Sequence, residues 1–312
     1  MPVHHVSPEG GSTVVLKEGR LRGEGRECGE GVSNELRSAR RSCFGDDWIV
    51  FERIGGDSIS AAHVAELADA MRGGLLKYAD VPAPSVITGH GEDGRRLAQT
   101  HLAFVPVPYV GSKLAKGEVL GVALVLPREV TDEERQTVVA CIRRWEKAVK
   151  SDGDEEASRL ELMLGRNGKL EVRRIVRPEM SGFVFRPRTW CRASWVWATV
   201  TPMALDRNPG DLHAKDERKR ARAFEAAEET VAEACAHAEL PRPAYVRVTR
   251  EALLPGTPSL REYPPFPKER SRCQRVLVHA RLVFDEEVSG PVIIGAGRFL
   301  GLGLCRPLHV ES

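Results

Sequence analysis

Between Ser60 and Tyr78, Val64, Leu67, Ala68, Met71 and Leu75 recur at helical spacing and predict a helix with one buried face. A second such stripe, Val138, Cys141, Ile142, Trp145 and Val149, follows Thr131 and Glu134, whose spacing is that of a capping box. A third helix is expected over Ala214 to Ala238, with Ala221, Phe224, Ala227, Val231, Ala234 and Ala238 turned inward. Apolar runs of strand length separate these helices: "DDWIVFERI", "HLAFVPVPYV", "GVALVLP", "RASWVWATVTPM" and "PAYVRVTRE". "RLELMLGRNGKLEVRRIV" holds two alternating runs joined at Asn167-Gly168, a strong hairpin signal. "QRVLVHARLVFDEEVSGPVIIGAG" reads as another hairpin, turning at Asp285 to Gly290.

Strand, helix, strand, strand recurs in each half. The order predicts an α+β protein of two tandem ferredoxin-like (RRM-like) domains, each an antiparallel sheet with helices on one face. Residues 45–180 would form the first and 186–312 the second. Residues 1–44, rich in Gly, Arg, Glu and Ser and without periodicity, read as a flexible or remnant N-terminal segment.

Composition narrows the function classes only a little. The formal net charge of +2 carries no global field, which leaves room for one strongly basic face. With neither a long apolar run nor a signal-peptide core, the expected location is the cytoplasm. The seven cysteines are far apart and lack zinc-ligand spacing, so reduced thiols are expected, with no metal and no cofactor.

The stretch "GPVIIGAGRFLGLGLCRPL", Gly290 to Leu308, carries five glycines. A dinucleotide loop must open a helix and be followed about 20 residues on by an acid. Only 11 residues follow Gly301 here, and no Gly-Lys-Ser/Thr marks a Walker loop. Two readings remain: close packing of a last strand against a neighbour, or a clamp in which backbone N–H groups and Arg298 hold a phosphodiester.

Gly295, Gly297, Arg298, Gly301 and Gly303 together resemble the glycine-rich loop of the CRISPR RAMP proteins. The likeness extends to "HLAFVPVPYVG", "GVALVLPR", "WATVTPMALDR" and "ELPRPAYVRV". Over residues 46–312 the chain is similar to the type I-G (formerly I-U) proteins that fuse a guide-capping subunit to the repeat-cleaving endoribonuclease. Their usual N-terminal region has no counterpart in residues 1–44. The resemblance implies two RAMP domains, a CRISPR repeat stem-loop as RNA partner, and other subunits of a type I interference complex. It implies metal-independent cleavage of the precursor, leaving a 2′,3′-cyclic phosphate. The alternative is a non-catalytic guide-RNA-binding subunit.

Such chemistry needs a base for the ribose 2′-OH, an acid for the leaving oxygen and cations around the phosphate. Of nine histidines, His4, His5 and His309 lie near the ends, and His63 and His237 fall on predicted helices. His213 reads as a helix-start residue and His279 as a buried strand residue. His90, in a Gly-flanked loop, and His101, at the next strand, are the acid–base candidates that the resemblance favours. Solvent contact for His90 and strand-end packing for His101 stand beside that reading. Arg95, Arg96 and Lys113, with the glycine run, are the expected RNA contacts. The mixed-sign "KDERKRAR" run reads as a solvated helix face.

Overall fold

The computed structural model describes residues 40–91, 93–95, 97, 99–149, 159–267 and 273–308. Arg96 and residues 1–39 lie outside this set. The elements in chain order are β1 (Arg40–Arg41), β2 (Phe44–Gly56), α1 (Val64–Lys77), α2 (Ser85–Thr88), β3 (Ala103–Pro108), β4 (Val119–Pro127) and α3 (Asp132–Val149). Then come β5 (Leu160–Met163), β6 (Lys169–Arg174), α4 (Pro187–Cys191), β7 (Ser194–Thr199), β8 (Met203–Ala204), α5 (Glu217–Ala236), β9 (Tyr245–Thr249), β10 (Leu277–Ser289) and β11 (Cys305–Leu308).

The strands form two sheets. The first has the order β3-β4-β2-β6-β5 and is antiparallel throughout. In the second, β10 is central, with β7 and then β11 on one side and β9 on the other. This sheet is mixed, which corrects the expectation of antiparallel sheets: Arg40 and Arg41 run parallel to Val288 and Ser289.

The helices form where the apolar stripes and caps direct. Val64, Leu67, Ala68, Met71 and Leu75 are all buried on α1. Thr131 and Glu134 close the capping box at α3, the Glu134 N–H donating to Thr131 Oγ1 at 3.2 Å and the Thr131 N–H to the Glu134 carboxylate at 3.0 Å. Val149, at the last turn of α3, is exposed. On α5 the buried set is Ala223, Ala227, Thr230, Val231, Ala232, Ala234 and Cys235, and Ala221 faces out. Alanine-rich helices have a weak apolar phase, so their inner face is set by the sheet they meet.

The hairpin expected at Asp285 to Gly290 does not exist. β10 runs unbroken through it, with Phe284 and Val288 buried and Asp285 and Glu287 exposed. The acids alternate outward on a bulged strand and mark no turn.

The first sheet is buried on both faces at β3 and β4, while β5 and β6 keep one face toward solvent. Phe51, Phe104, Val122, Leu124 and Leu170 pack with Leu67, Met71, Val138 and Ile142 of α1 and α3. The other face, with Trp48, Val50, Val105, Ala123 and Val125, shares one core with Trp190, Trp197 and Val231 from the second half. Trp48 stacks on Trp190 at a centroid distance of 6.5 Å. On β7, Trp197 is fully buried while Trp195 is exposed.

Candidate functional site

A cleft of about 930 Å³ opens where α1, the loop after α2, the start of β3 and the glycine run meet. Its lining includes Arg72, His90, His101, Arg298 and Phe299, with Tyr263 on another wall.

Local backbone chemistry sets the two histidines. Helix α2 ends at Gly89, which adopts a left-handed φ of 70°. A Cβ at Gly89 would lie 2.6 Å from the His101 ring, so only glycine lets this imidazole come so close. Phe299 stacks on His101 with centroids 3.6 Å apart and planes 24° apart. His90 Nδ1 lies 2.9 Å from the Thr88 carbonyl. A carbonyl only accepts, so Nδ1 carries the hydrogen and Nε2 is left for other work. The same carbonyl accepts from Arg72 Nη2 at 3.4 Å. Thr88 thereby fixes a cation and an imidazole together.

Arg298 sits on a single 3-10 turn, Arg298–Leu300. Its Nη1 donates to the Gly295 carbonyl at 3.4 Å and its guanidinium lies 4.6 Å from the Phe299 ring centre. Burial, then the Arg298 and Arg72 charges and His90, push the His101 pKa down to about 4, so this ring is neutral at neutral pH.

Four cleft-lining residues hold buried polar atoms without a hydrogen-bond partner among the described residues: His101 Nδ1, Asp206 Oδ2, Tyr263 OH and Arg298 Nε. Folded proteins leave few such groups unsatisfied, so water or another polar group in the cleft has to meet them.

Of the residues expected from the sequence, His90, His101, Gly297 and Arg298 line this one cleft. Arg95 lies between the lining residues His90 and Leu97, but its side chain is 88% exposed and pairs with Asp93 at 3.6 Å. Lys113 is exposed on the β3–β4 loop, outside the cleft. Gly295, Gly301 and Gly303 are buried, with φ near 90°, 77° and 73°. A Cβ at these positions would lie 2.6 Å from Met203, 2.6 Å from Pro106 and 1.8 Å from the Ile294 carbonyl oxygen, respectively. Their observed work is close packing, and it is the turn they build that presents Arg298 and Phe299. His279 is fully buried, its Nδ1 3.0 Å from Thr199 Oγ1, and burial lowers its pKa to about 4.

Sequence reasoning did not single out Arg72, Thr88, Phe299 or Tyr263. Arg72 stands between the buried Met71 and Leu75, so the helical phase did place it beside the inner stripe. Tyr263 lies in the long segment between β9 and β10, outside the elements that periodicity predicts.

The cleft lining carries both signs of charge, Arg72, Arg275 and Arg298 beside Glu66, Asp69 and Asp206, with His90 and His101 among them. The chain belongs to the family described as CRISPR-associated protein, GSU0054 family, whose model matches residues 58–307. That range contains every cleft residue named above. Neither the curated proteins nor the solved structures gave a match.

Proposed function

We propose that the chain is a metal-independent endoribonuclease that cuts the repeat RNA of a CRISPR precursor transcript and holds the product in a type I interference complex. The observation that carries this reading is the convergence of His90 and His101 with Arg298, a residue about 200 positions away, and with Arg72. The strand orders support the finer fold reading. In each half the first, second, third and fourth main strands lie in the order 2-3-1-4, as β3-β4-β2-β6 and β9-β10-β7-β11. That is the order of a ferredoxin-like unit, and in the second half the glycine run stands where a second helix would be.

In this mechanism the ribose 2′ oxygen attacks the adjacent phosphorus, the O2′–P bond forms and the P–O5′ bond breaks. The products are a 2′,3′-cyclic phosphate and a 5′-OH. His101, already neutral, takes the 2′-OH proton. Protonated His90, its Nδ1–H held by Thr88, gives its Nε2 proton to O5′. Arg72 and Arg298 hold the non-bridging oxygens as charge builds on them. A bound phosphate also offsets the two arginine charges and so raises the basicity of His101.

Labelled repeat RNA is expected to be cut in the presence of EDTA. His90→Ala and His101→Ala should each slow cleavage by about 10²–10⁴-fold while leaving RNA binding in place. Normal rates in both variants would overturn the assignment. The burial and stacking of His101 favour a second reading, a guide-RNA-binding subunit without turnover, which predicts salt-sensitive binding and no cut product in any variant.

A further inference from the structure

The outer face of the second sheet carries a pair of charges that the fold leaves unresolved. In the β9–β10 register Arg247 lies directly opposite Arg281, and Tyr245 opposite Val283. Directly opposed residues point to the same face, with Cα atoms about 5 Å apart. Val246, Val248, Ala280 and Leu282 alternate with them and are buried on the opposite face. Arg247 and Arg281 are exposed, and neither has a hydrogen-bond or carboxylate partner among the described residues. Like charges directly opposite on a sheet are destabilising, so the free chain bears a cost that a bound anion would turn into a gain. Tyr245, two residues before Arg247 on the same face, is 54% exposed. Asp285, four residues beyond Arg281 on β10 and also exposed, bounds the cationic patch at that end.

We infer that this face of β9 and β10 is a binding site for single-stranded RNA, separate from the cleft, in which Arg247 and Arg281 clamp one stretch of phosphodiester backbone and Tyr245 stacks a base. None of the three residues lines the cleft. A cationic pair alone would suit any polyanion. The exposed aromatic ring beside it selects a ligand with alternating phosphates and flat bases. The inference rests on the reading of the chain as an RNA-binding protein, and it does not require the cleft to be catalytic.

The test uses the full chain and fluorescein-labelled oligouridine, with anisotropy titrations at several salt concentrations. Arg247→Ser/Arg281→Ser should weaken binding by about tenfold or more and reduce the steepness of log K against log salt by about 1.4, the value for two phosphate contacts on a single strand. Tyr245→Ala should weaken binding at least about fivefold with little change in that slope. Polyphosphate binding should depend on the arginines and not on Tyr245. Wild-type affinity and slope in the arginine variant would overturn the inference. So would an arginine-dependent affinity for polyglutamate without one for RNA, which would make the face a protein-docking site. Repeat-RNA cleavage at saturating RNA separates the two proposals. If His90→Ala stops cleavage and the arginine variant binds normally, only this inference falls. If no cleavage occurs and the arginine variant loses binding, only the nuclease reading falls.

Discussion

His101 and His279 are both held neutral by burial, each with its pKa lowered to about 4, but their surroundings differ. His279 is sealed in a strand and bonded to Thr199, whereas His101 reaches the cleft and has two arginines close enough to lower its pKa further. In the unfolded chain both rings titrate near 6.5. Between 6.5 and about 4 the unfolded state therefore binds more protons than the folded one. Stability should rise with pH across that window, with each ring contributing up to about 3 kcal/mol. It is fully present above the unfolded value and lost as pH falls toward the folded one. Urea unfolding at steps from acid to neutral pH should show a slope of about two protons in the wild type. His279→Asn should bring it to about one. An unchanged slope in that variant would mean that His279 is not protonated on unfolding. Sequence alone reads His279 as a buried strand residue, which the structure bears out, and offers His101 as a site candidate with strand-end packing beside it. It could not supply Arg72 or Phe299, because nothing local in the chain records that α1 and the glycine run meet at one ring.

At the scale of elements, the glycine run works through its turn. Gly303 combines a left-handed φ of 73° with a backbone carbonyl 1.8 Å from where its Cβ would be, so backbone must move to admit any side chain. Gly94 has a similar φ of 74° and open space around it, which makes it an internal control. Gly94→Ala should cost only the conformational term, about 1 kcal/mol. Gly303→Ala should cost at least about 2 kcal/mol and disturb the turn that carries Arg298, which thermal melting and a cleavage or RNA-binding assay would detect together. Equal melting temperatures for the two variants would refute the packing argument. Regular elements with strong stripes were readable beforehand, as α1 and the capped start of α3 illustrate. The misread hairpin at Asp285 to Gly290 has the opposite cause: acids on the exposed side of a long strand look like turn residues until the neighbouring strands are known. On alanine-rich α5 the expected inner face holds at Ala227, Val231 and Ala234 and fails at Ala221, since alanine differs little between the two environments.

At the scale of the molecule, the core does not respect the midpoint of the sequence. Trp48, Val50, Val105 and Val125 of the first sheet pack in one cluster with Trp190, Trp197, Val231 and Leu282 of the second half. Arg128 adds a polar tie: its Nη1 donates to the Arg41 and Ser42 carbonyls at 3.0 and 2.9 Å, and its Nη2 meets Glu239 at 2.7 Å. Two tandem units are what the strand and helix order suggests, because that order is periodic. The face that joins them is invisible to periodicity: a strand buried on both sides reads simply as a continuous apolar run. Residues 45–180 alone would expose the second face of β2, β3 and β4, with Trp48, Val50, Val105 and Val125, an apolar patch that water penalises at about 25 cal/mol per Å². The full chain should therefore unfold in one cooperative step, with tryptophan fluorescence and far-ultraviolet circular dichroism following the same curve. A fragment of residues 45–180 should aggregate or lack a melting transition. Two separated transitions in the full chain, or a fragment that melts cooperatively as a monomer, would show that the halves are independent domains and that the shared core is only a docking interface.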